Sequence, residues 1–420
     1  MLVHLISTGD ELISGDIADT NSAWLCQELI NMGLQVEKIH GLGDDAEQIS
    51  DTIKQISARA GLGLVTGGLG PTGDDLTAYA CSLAAGVKLS IHEEALASMK
   101  AYFAKKGYNL TPENEKQAFL PVGASPVINN YGTAPGFYIS IGQCLFFFMP
   151  GVPKEMKLMF EHDIKPLLSQ KCLSQKYKEL PSVLIERLTV FGLAESMTGA
   201  MLKDFYEFFP GFKLGFRVKF PLITVKIVQA GIKEDTAGSQ LLKAKQWVMD
   251  KLGNKVLSDQ GLNMAEEVGR LLALKKKTLA IAESCTGGRI ANMITDVAGS
   301  SDYFLFSGVT YSNDAKMNVL GVQEKTLVEN GAVHETTARE MAEGARKKSG
   351  ADYGISTTGI AGPGGGSSDR PVGMVCIGFS STSSSFAKTY KFPFDDREMN
   401  KQMFAATALN LLRRHLIRTK

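Results

Sequence analysis

Four short apolar runs in this chain end in glycine-bearing loops: "LVHLISTGDE", "GLGLVTGGLGPTGDD", "TLAIAESCTGG" and "YGISTTGIAGPGGG". The first three lead on into helix-like stretches. An apolar strand, a glycine loop and a helix in repeated succession pack as a mostly parallel sheet with helices on its faces. That arrangement places ligands at the carboxyl ends of the strands. The pattern therefore predicts an α/β fold and marks the four loops as the places where chemistry belongs. With 420 residues the chain is too long for one domain, since a domain takes roughly 100–200.

Three segments follow from the punctuation. The first, 1–170, opens with "LVHLIS" and continues through a helix over "NSAWLCQELINMG", with Asn21 or Ser22 as N-cap and Gly33 at its end. It closes in the turn and helix of "MPGVPKEMKLMFEHDIKPLL". The polar stretch "SQKCLSQKYKELPS" is a linker by composition. The second segment, 176–256, offers strands "VLIERLTVFG" and "LITVKIVQAG" with helices around 194–208 and 236–252, enough for a small α+β module. The third, 258–420, returns to strand–helix alternation, carries a serine-rich hairpin loop in "SSTSSSFAK", and ends in an amphipathic helix from Asp396 to about Arg418.

Bulk properties exclude several classes. A formal net charge of +1 gives no general argument for nucleic acid or an anionic membrane. The most apolar stretch, "CLFFFMPGV", is far short of the roughly 20 residues that span a bilayer and fits a buried strand. The start lacks the basic and apolar regions of a signal peptide, and the six cysteines include no CxxC pair, which together predict a reduced, cytoplasmic, disulfide-free protein. The six histidines are too dispersed to spell a zinc cluster.

The pattern AESxTG occurs twice, at 194–199 and at 282–287. In the first copy only Gly192 separates strand from helix. Glu195 and Ser196 there suit a helix N-terminus, so that copy is structural. In the second, an apolar strand runs into Glu283, Ser284, Cys285, Thr286, Gly287 and Gly288. Backbone N–H groups at such a helix start hold anions or oxyanions, and a serine at the bend presents its hydroxyl. On this local pattern a nucleophile and a phosphate-binding loop are equally good readings. Downstream, "VTYSNDAK" supplies Tyr311, Asn313 and Lys316, and "STTGIAGPGGGSSDRPVG" supplies Thr358, Gly359 and Gly362. A serine hydroxyl needs a base. His334 and His415 are poorly placed for it, in a loop-like run and a terminal helix. Lys316 serves if burial lowers its pKa from about 10.4, with Tyr311 relaying or stabilising the proton transfer.

In this order "AESCTGG", "VTYSNDAK" and "TTGIAGPGGGSSDRPVG" resemble the C-terminal domain of the competence/damage-inducible CinA family. The resemblance implies a cofactor-independent nicotinamide-nucleotide amidase that converts nicotinamide mononucleotide to nicotinate mononucleotide and ammonia. Carried onto this chain, it makes Ser284 the nucleophile, Lys316 the general base and Tyr311 its partner. Substrate contacts fall to Thr286, Gly287, Gly288, Asn313, Thr358, Gly359 and Gly362. Cys285 is then an apolar neighbour pointing into the sheet.

At the other end, "STGDELISGDIADTN" and "VTGGLGPTGDDLT" resemble the molybdopterin-binding fold, with Leu69 standing where those proteins carry the threonine of GGTG. The paired acids, "NYGTAPGF" and "MPGVPKEM" are similar to the N-terminal CinA domain. That likeness implies metal-dependent hydrolysis of ADP-ribose to AMP and ribose 5-phosphate. Gly67, Gly68, Gly70 and Thr72 would cradle phosphate, and Asp10, Asp74 and Asp75 would hold a divalent ion, with Glu11 facing the same cleft. From the residues alone, Asp74 and Asp75 could equally cap the helix "LTAYACSLAAG". The middle segment takes the place of the family's KH-like module, but its glycines include no pair three apart. Without a GXXG loop it is a spacer or dimerisation element and not a nucleic-acid binder. The expected whole is a bifunctional, homodimeric pyridine-nucleotide salvage enzyme acting on small-molecule nucleotides, with no membrane partner. The alternative is a non-enzymatic accessory factor of competence or DNA repair.

Overall fold

The computed structural model describes residues 2–34, 36–172, 182–232 and 234–418. They form two compact units, Met1–Leu184 with Ala230–Ala237 and Ile185–Gln229 with Gly238–Lys420. The linker expected over 169–182 lies outside the described residues from 173 to 181.

The first unit contains strands β1 (Val3–Thr8), β2 (Val36–Leu42), β3 (Leu62–Thr66), β4 (Leu89–Ile91), β5 (Phe119–Pro121), β6 (Ser125–Val127), β7 (Gly136–Ile141) and β8 (Cys144–Met149). Six of them make a sheet in the order β2-β1-β3-β8-β7-β6, and β4 pairs with β5. The pairs β1–β2, β1–β3 and β3–β8 are parallel, while β7 pairs antiparallel with β8 and β6 antiparallel with β7. β1 and β3 are buried at every residue, as central parallel strands covered on both faces must be. Alternate side chains serve opposite faces. Ile6, Val65, Phe146 and Phe148 pack with Ile49, Ile53 and Cys81, whereas Leu5, Leu64 and Phe147 pack with Leu25, Leu29, Met156 and Met159. The apolar run at 144–149 is thus a core strand, and among the described residues no helix is long and apolar enough to cross a membrane. The helix Thr20–Asn31 is capped by Asp19, which accepts from the Ser22 N–H at 2.8 Å. This displaces the expected caps Asn21 and Ser22, whose side chains turn into the unit and bond Thr66 and Ser7.

β9 (Ser182–Phe191), β10 (Phe212–Lys219), β11 (Leu222–Ile232) and β12 (Val256–Ser258), most of whose residues belong to the second unit, form a sheet in the order β10-β11-β9-β12. β10 was not expected, because lysine, arginine and glycine break up the apolar alternation of "FKLGFRVK". The first AESxTG copy opens the helix Glu195–Met201, where Ser196 is exposed and the Thr198 hydroxyl donates to the Ala194 carbonyl at 2.9 Å. That placement agrees with a structural role. The remaining strands, β13 (Leu279–Glu283), β14 (Phe304–Val309), β15 (Tyr353–Gly359), β16 (Met374–Ser380) and β17 (Ser385–Lys391), order as β14-β13-β15-β16-β17. β13 runs parallel to both its neighbours, β16 pairs antiparallel with β15, and β17 pairs antiparallel with β16. Helices Met264–Lys275 and Arg397–Arg418 cover one face, and Glu335–Ser349 covers the other. A Cβ on Gly354 or Gly378 would come within 2.2 or 2.1 Å of the Ala342 or Ala338 carbonyl, so Glu335–Ser349 lies closer to the sheet than any side chain permits. The serine-rich turn joins β16 to β17 as expected, with the Ser381 hydroxyl accepting from the Ser384 N–H at 3.0 Å.

Candidate functional site

β13 ends at Glu283, and the chain turns through Gly287 (φ 62°) and Gly288 (φ 91°) into the helix Arg289–Thr295. Both glycines occupy the left-handed region that other residues avoid. The alternation of β13 persists into the bend. Leu279, Ile281 and Cys285 belong to one core, while Ala280 and Ala282 belong to the core on the opposite face. Ser284 follows the second set and meets Lys316, whose helix, Asn313–Leu320, contributes Leu320 and Met317 to that same core.

Lys316 is 1% exposed. Its Nζ lies 3.2 Å from Ser284 Oγ, 2.9 Å from the Thr310 carbonyl and 3.0 Å from the Tyr311 carbonyl. Burial pushes its pKa below the ordinary lysine value. The two carbonyls only accept, so they take two N–H bonds, and in the neutral amine the remaining lone pair faces the serine hydroxyl. Cys285 behaves oppositely. Burial raises its thiol to about 12, which keeps it protonated beside the serine.

The N–H groups of Gly288, Ile290 and Ala291 do not await a substrate anion. The fully buried Glu283 carboxylate accepts from them at 3.0, 3.1 and 2.9 Å. This corrects the expectation that the helix start itself is the anion site. The chain supplies its own anion and so fixes the bend that carries Ser284.

The other expected residues divide. The Thr286 hydroxyl bonds Thr357 Oγ1 at 2.7 Å, and the Thr358 hydroxyl donates to the Ala332 carbonyl at 2.7 Å; both side chains are buried. Gly359 packs against β16, where a Cβ would sit 2.4 Å from the Met374 carbonyl. The Gly362 carbonyl accepts from Arg397 Nη1 at 2.6 Å. Asn313 is exposed in the first turn of its helix. Tyr311 is 63% exposed, and its hydroxyl lies 3.5 Å from Arg397 Nη2. The bond that ties Tyr311 to Lys316 comes from its carbonyl, so the structure does not arrange the phenol relay expected from the sequence.

Two cations escaped the sequence reading. Arg397 bridges the Tyr311 hydroxyl and the Gly362 carbonyl. Lys401 Nζ lies 3.5 Å from the position of a Cβ on Gly287. Both belong to the C-terminal helix Arg397–Arg418, whose linear pattern is merely amphipathic. Only its packing beside the bend reveals them.

In the first unit, the ends of β1, β3 and β8 border a cleft of about 520 Å³, lined among others by Thr8, Glu11, Asn21, Asp44, Asp74 and Asp75. Gly67, Gly68, Gly70 and Thr72 all line it. A Cβ on Gly67 (φ 108°) would fall 2.3 Å from the Thr8 carbonyl, so the close approach demands glycine. Asp75 accepts from the Thr72 N–H at 2.8 Å and its hydroxyl at 2.6 Å, and the same hydroxyl contacts Asp74. Neither acid caps the following helix, Thr77–Ala85, whose N-cap Leu76 makes no side-chain bond. Asp10 and Asp44 accept from each other's N–H at 3.0 and 3.1 Å. Burial raises the Asp44 pKa, and the charges of Asp10, Glu11 and Asp74 push the same way. Among the described residues no group of three or more His, Cys, Asp or Glu side chains is arranged to hold a metal ion. The expected ligands Asp10, Asp74 and Asp75 are engaged in loop hydrogen bonds and do not fit a preformed metal centre.

Residues 262–416 match the CinA C-terminal domain, and residues 4–170 match the family described as "Probable molybdopterin binding domain". A CinA-like protein of Desulforapulum autotrophicum is 49% identical over 417 residues, covering 99% of each chain. One from Geobacter metallireducens is 39% identical over 417 residues, covering 99% of this chain and 100% of that one. The crystal structure of the competence/damage inducible protein CihA from Agrobacterium tumefaciens is 37% identical, with a TM-score of 0.36 over 37% of this chain and 98% of that one. With matched motifs at both ends and full-length relatives at this identity, the chain belongs to the CinA family.

Proposed function

We propose that the second unit deamidates nicotinamide mononucleotide to nicotinate mononucleotide and ammonia, and that the first hydrolyses ADP-ribose to AMP and ribose 5-phosphate. The observation that carries the amidase reading is the buried Lys316 amine 3.2 Å from the Ser284 hydroxyl, with its other two directions held by carbonyls. Neutral Lys316 takes the hydroxyl proton as Ser284 Oγ attacks the carboxamide carbon. The N–H groups of Cys285 and Thr286, which follow the nucleophile directly in the chain, donate to the oxyanion that forms. The tetrahedral intermediate collapses, the C–N bond breaks, and the lysine proton leaves with ammonia. Water then attacks the acyl-serine as Lys316 receives its proton; the C–Oγ bond breaks, Ser284 Oγ takes that proton back from Lys316, and the carboxylate is released. Arg397 and Lys401 provide the positive charge for the substrate phosphate.

The glycine-lined cleft supports the second activity, because backbone N–H groups of such a loop suit a diphosphate. The divalent ion expected from the resemblance finds no ready-made ligand set there, so the proposal for this unit is phosphoanhydride hydrolysis alone. Purified full-length protein tests both readings. Ammonia release from nicotinamide mononucleotide is expected, and Ser284→Ala should abolish it while leaving AMP formation from ADP-ribose intact. Unchanged ammonia release in that variant would remove the amidase mechanism, and absence of AMP formation in the parent would remove the second activity.

A further inference from the structure

The glycine-lined cleft adjoins a second recess of about 490 Å³, and Gly68, Leu69, Gly70, Asp75 and Gln117 line both. Polarity changes across that boundary. The cleft side carries threonines and carboxylates, whereas the recess is walled mostly by apolar side chains, Leu76, Tyr79, Ile91, Phe119 and Leu120, with Glu115 and Lys116 also lining it. Tyr79, Ile91 and Phe119 are 47%, 42% and 37% exposed, so an apolar wall stands open beside a phosphate loop.

Gln117 sits at the junction and is only 6% exposed. Its Nε2 donates to the Leu69 carbonyl at 3.2 Å, while its Oε1 is buried with no hydrogen-bond partner among the described residues. The Leu69 carbonyl can only accept, so turning the amide over would set oxygen against oxygen; the orientation is fixed with the acceptor free. Asn21, also lining the cleft and 9% exposed, repeats the arrangement. Its Nδ2 donates to Thr66 Oγ1 at 3.2 Å and to the Gly151 carbonyl at 2.7 Å, and its Oδ1 likewise has no partner among the described residues. A buried acceptor without a donor is costly, and one that lines an open cleft is completed when a ligand or an ordered water supplies the donor.

We infer that Gln117 is a specificity-determining residue that reads the sugar of a nucleotide spanning both recesses. The inference rests on the reading of this cleft as a nucleotide site. A nucleoside diphosphate runs in the order phosphate, ribose, base. The glycine loop takes the phosphates, and the recess with Tyr79 and Phe119 takes the flat base. The group left at the boundary is the ribose, whose hydroxyls are the donors that Gln117 Oε1 lacks. A site built to bond a substrate hydroxyl rejects the analogue without it, because the protein's own polar group is then stranded.

The test is calorimetric binding of ADP, 2′-deoxy-ADP, 3′-deoxy-ADP and inorganic pyrophosphate to the full chain. One deoxy analogue is expected to bind about tenfold more weakly than ADP, the scale of one lost hydrogen bond. Gln117→Met should weaken ADP by a similar factor, remove the discrimination between ADP and that analogue, and leave pyrophosphate affinity unchanged. Phe119→Ala should weaken ADP and spare pyrophosphate. Equal binding of ADP and both deoxy analogues to the parent chain overturns the inference without recourse to any variant. Discrimination that survives in Gln117→Met overturns it as well. If ADP binds without discrimination, only the role of Gln117 is lost. If neither ADP nor pyrophosphate binds, the nucleotide reading of the cleft falls and takes this inference with it.

Discussion

Ser284 and Cys285 are adjacent nucleophile types in one bend, and replacing each with alanine separates them. Ser284→Ala removes the oxygen 3.2 Å from Lys316 Nζ but leaves the lysine its bonds to the Thr310 and Tyr311 carbonyls. The structural cost is one hydrogen bond, about 1 kcal/mol, so the variant should fold. The catalytic cost is the nucleophile, on the order of 10⁴–10⁶ in kcat, or roughly 5–8 kcal/mol of barrier at about 1.36 kcal/mol per decade. Cys285 belongs to the core shared with Ile281 and Ile290. With its thiol raised to about 12, Cys285 stays protonated at pH 7, whereas a free cysteine of pKa about 8.5 is about 3% thiolate there. Cys285→Ala should therefore keep kcat within about twofold while losing about 1 kcal/mol of packing, which lowers Tm by about 2–4 °C. A coupled ammonia assay gives the rates, thermal melting gives the stabilities, and mass spectrometry of quenched turnover locates the acyl group. An adduct on Cys285, or a Ser284→Ala variant near parental activity, would refute the reasoning.

Glu283→Ala strands three N–H donors at the start of Arg289–Thr295 and should cost roughly 3 kcal/mol or more, measured by urea unfolding; a loss below about 1 kcal/mol would mean those donors find other partners. Because the working Lys316 amine is neutral and burial lowers its pKa, kcat/KM should rise as pH climbs through that lowered value, short of about 10.4. The unfolded chain holds the lysine proton more tightly, so stability should rise over the same interval; a kcat/KM profile that falls with pH there would contradict the assignment. Tyr311→Phe keeps the carbonyl that anchors Lys316 and removes only the hydroxyl near Arg397. It should raise KM without moving the Lys316 limb of the pH profile, and a displaced limb would restore the phenol to the proton path. A fragment of residues 258–420 should fold and release ammonia, but melt below one starting at 185. It loses β9 and the Val256 and Leu257 carbonyls that Arg413 bonds at 3.3 and 2.8 Å; an inactive fragment would show that the site needs the rest of its unit.

What the residues determine by themselves is local. Apolar runs ending in glycine announce β1, β3, β13 and β15, because only strands buried on both faces tolerate such composition and only glycine takes the bends that follow. The two-residue period of a strand already separates Ser284 from Cys285, and their opposite sides follow from it. Tertiary structure decides which distant group meets each of these. Glu283 looks like one more polar residue of the motif until the backbone folds back and gives it three donors. Asp74 and Asp75 fit equally as caps or as ligands in one dimension, and the turn of 71–75 instead hands them to Thr72. Arg397 and Lys401 lie on a helix whose spelling says only that one face is apolar, and packing against the sheet carries them to the loops at 287 and 362. Periodicity and steric preference act between neighbours in sequence. The pairing of charges, donors and carbonyls depends on crossover geometry that closes only when the whole sheet is assembled.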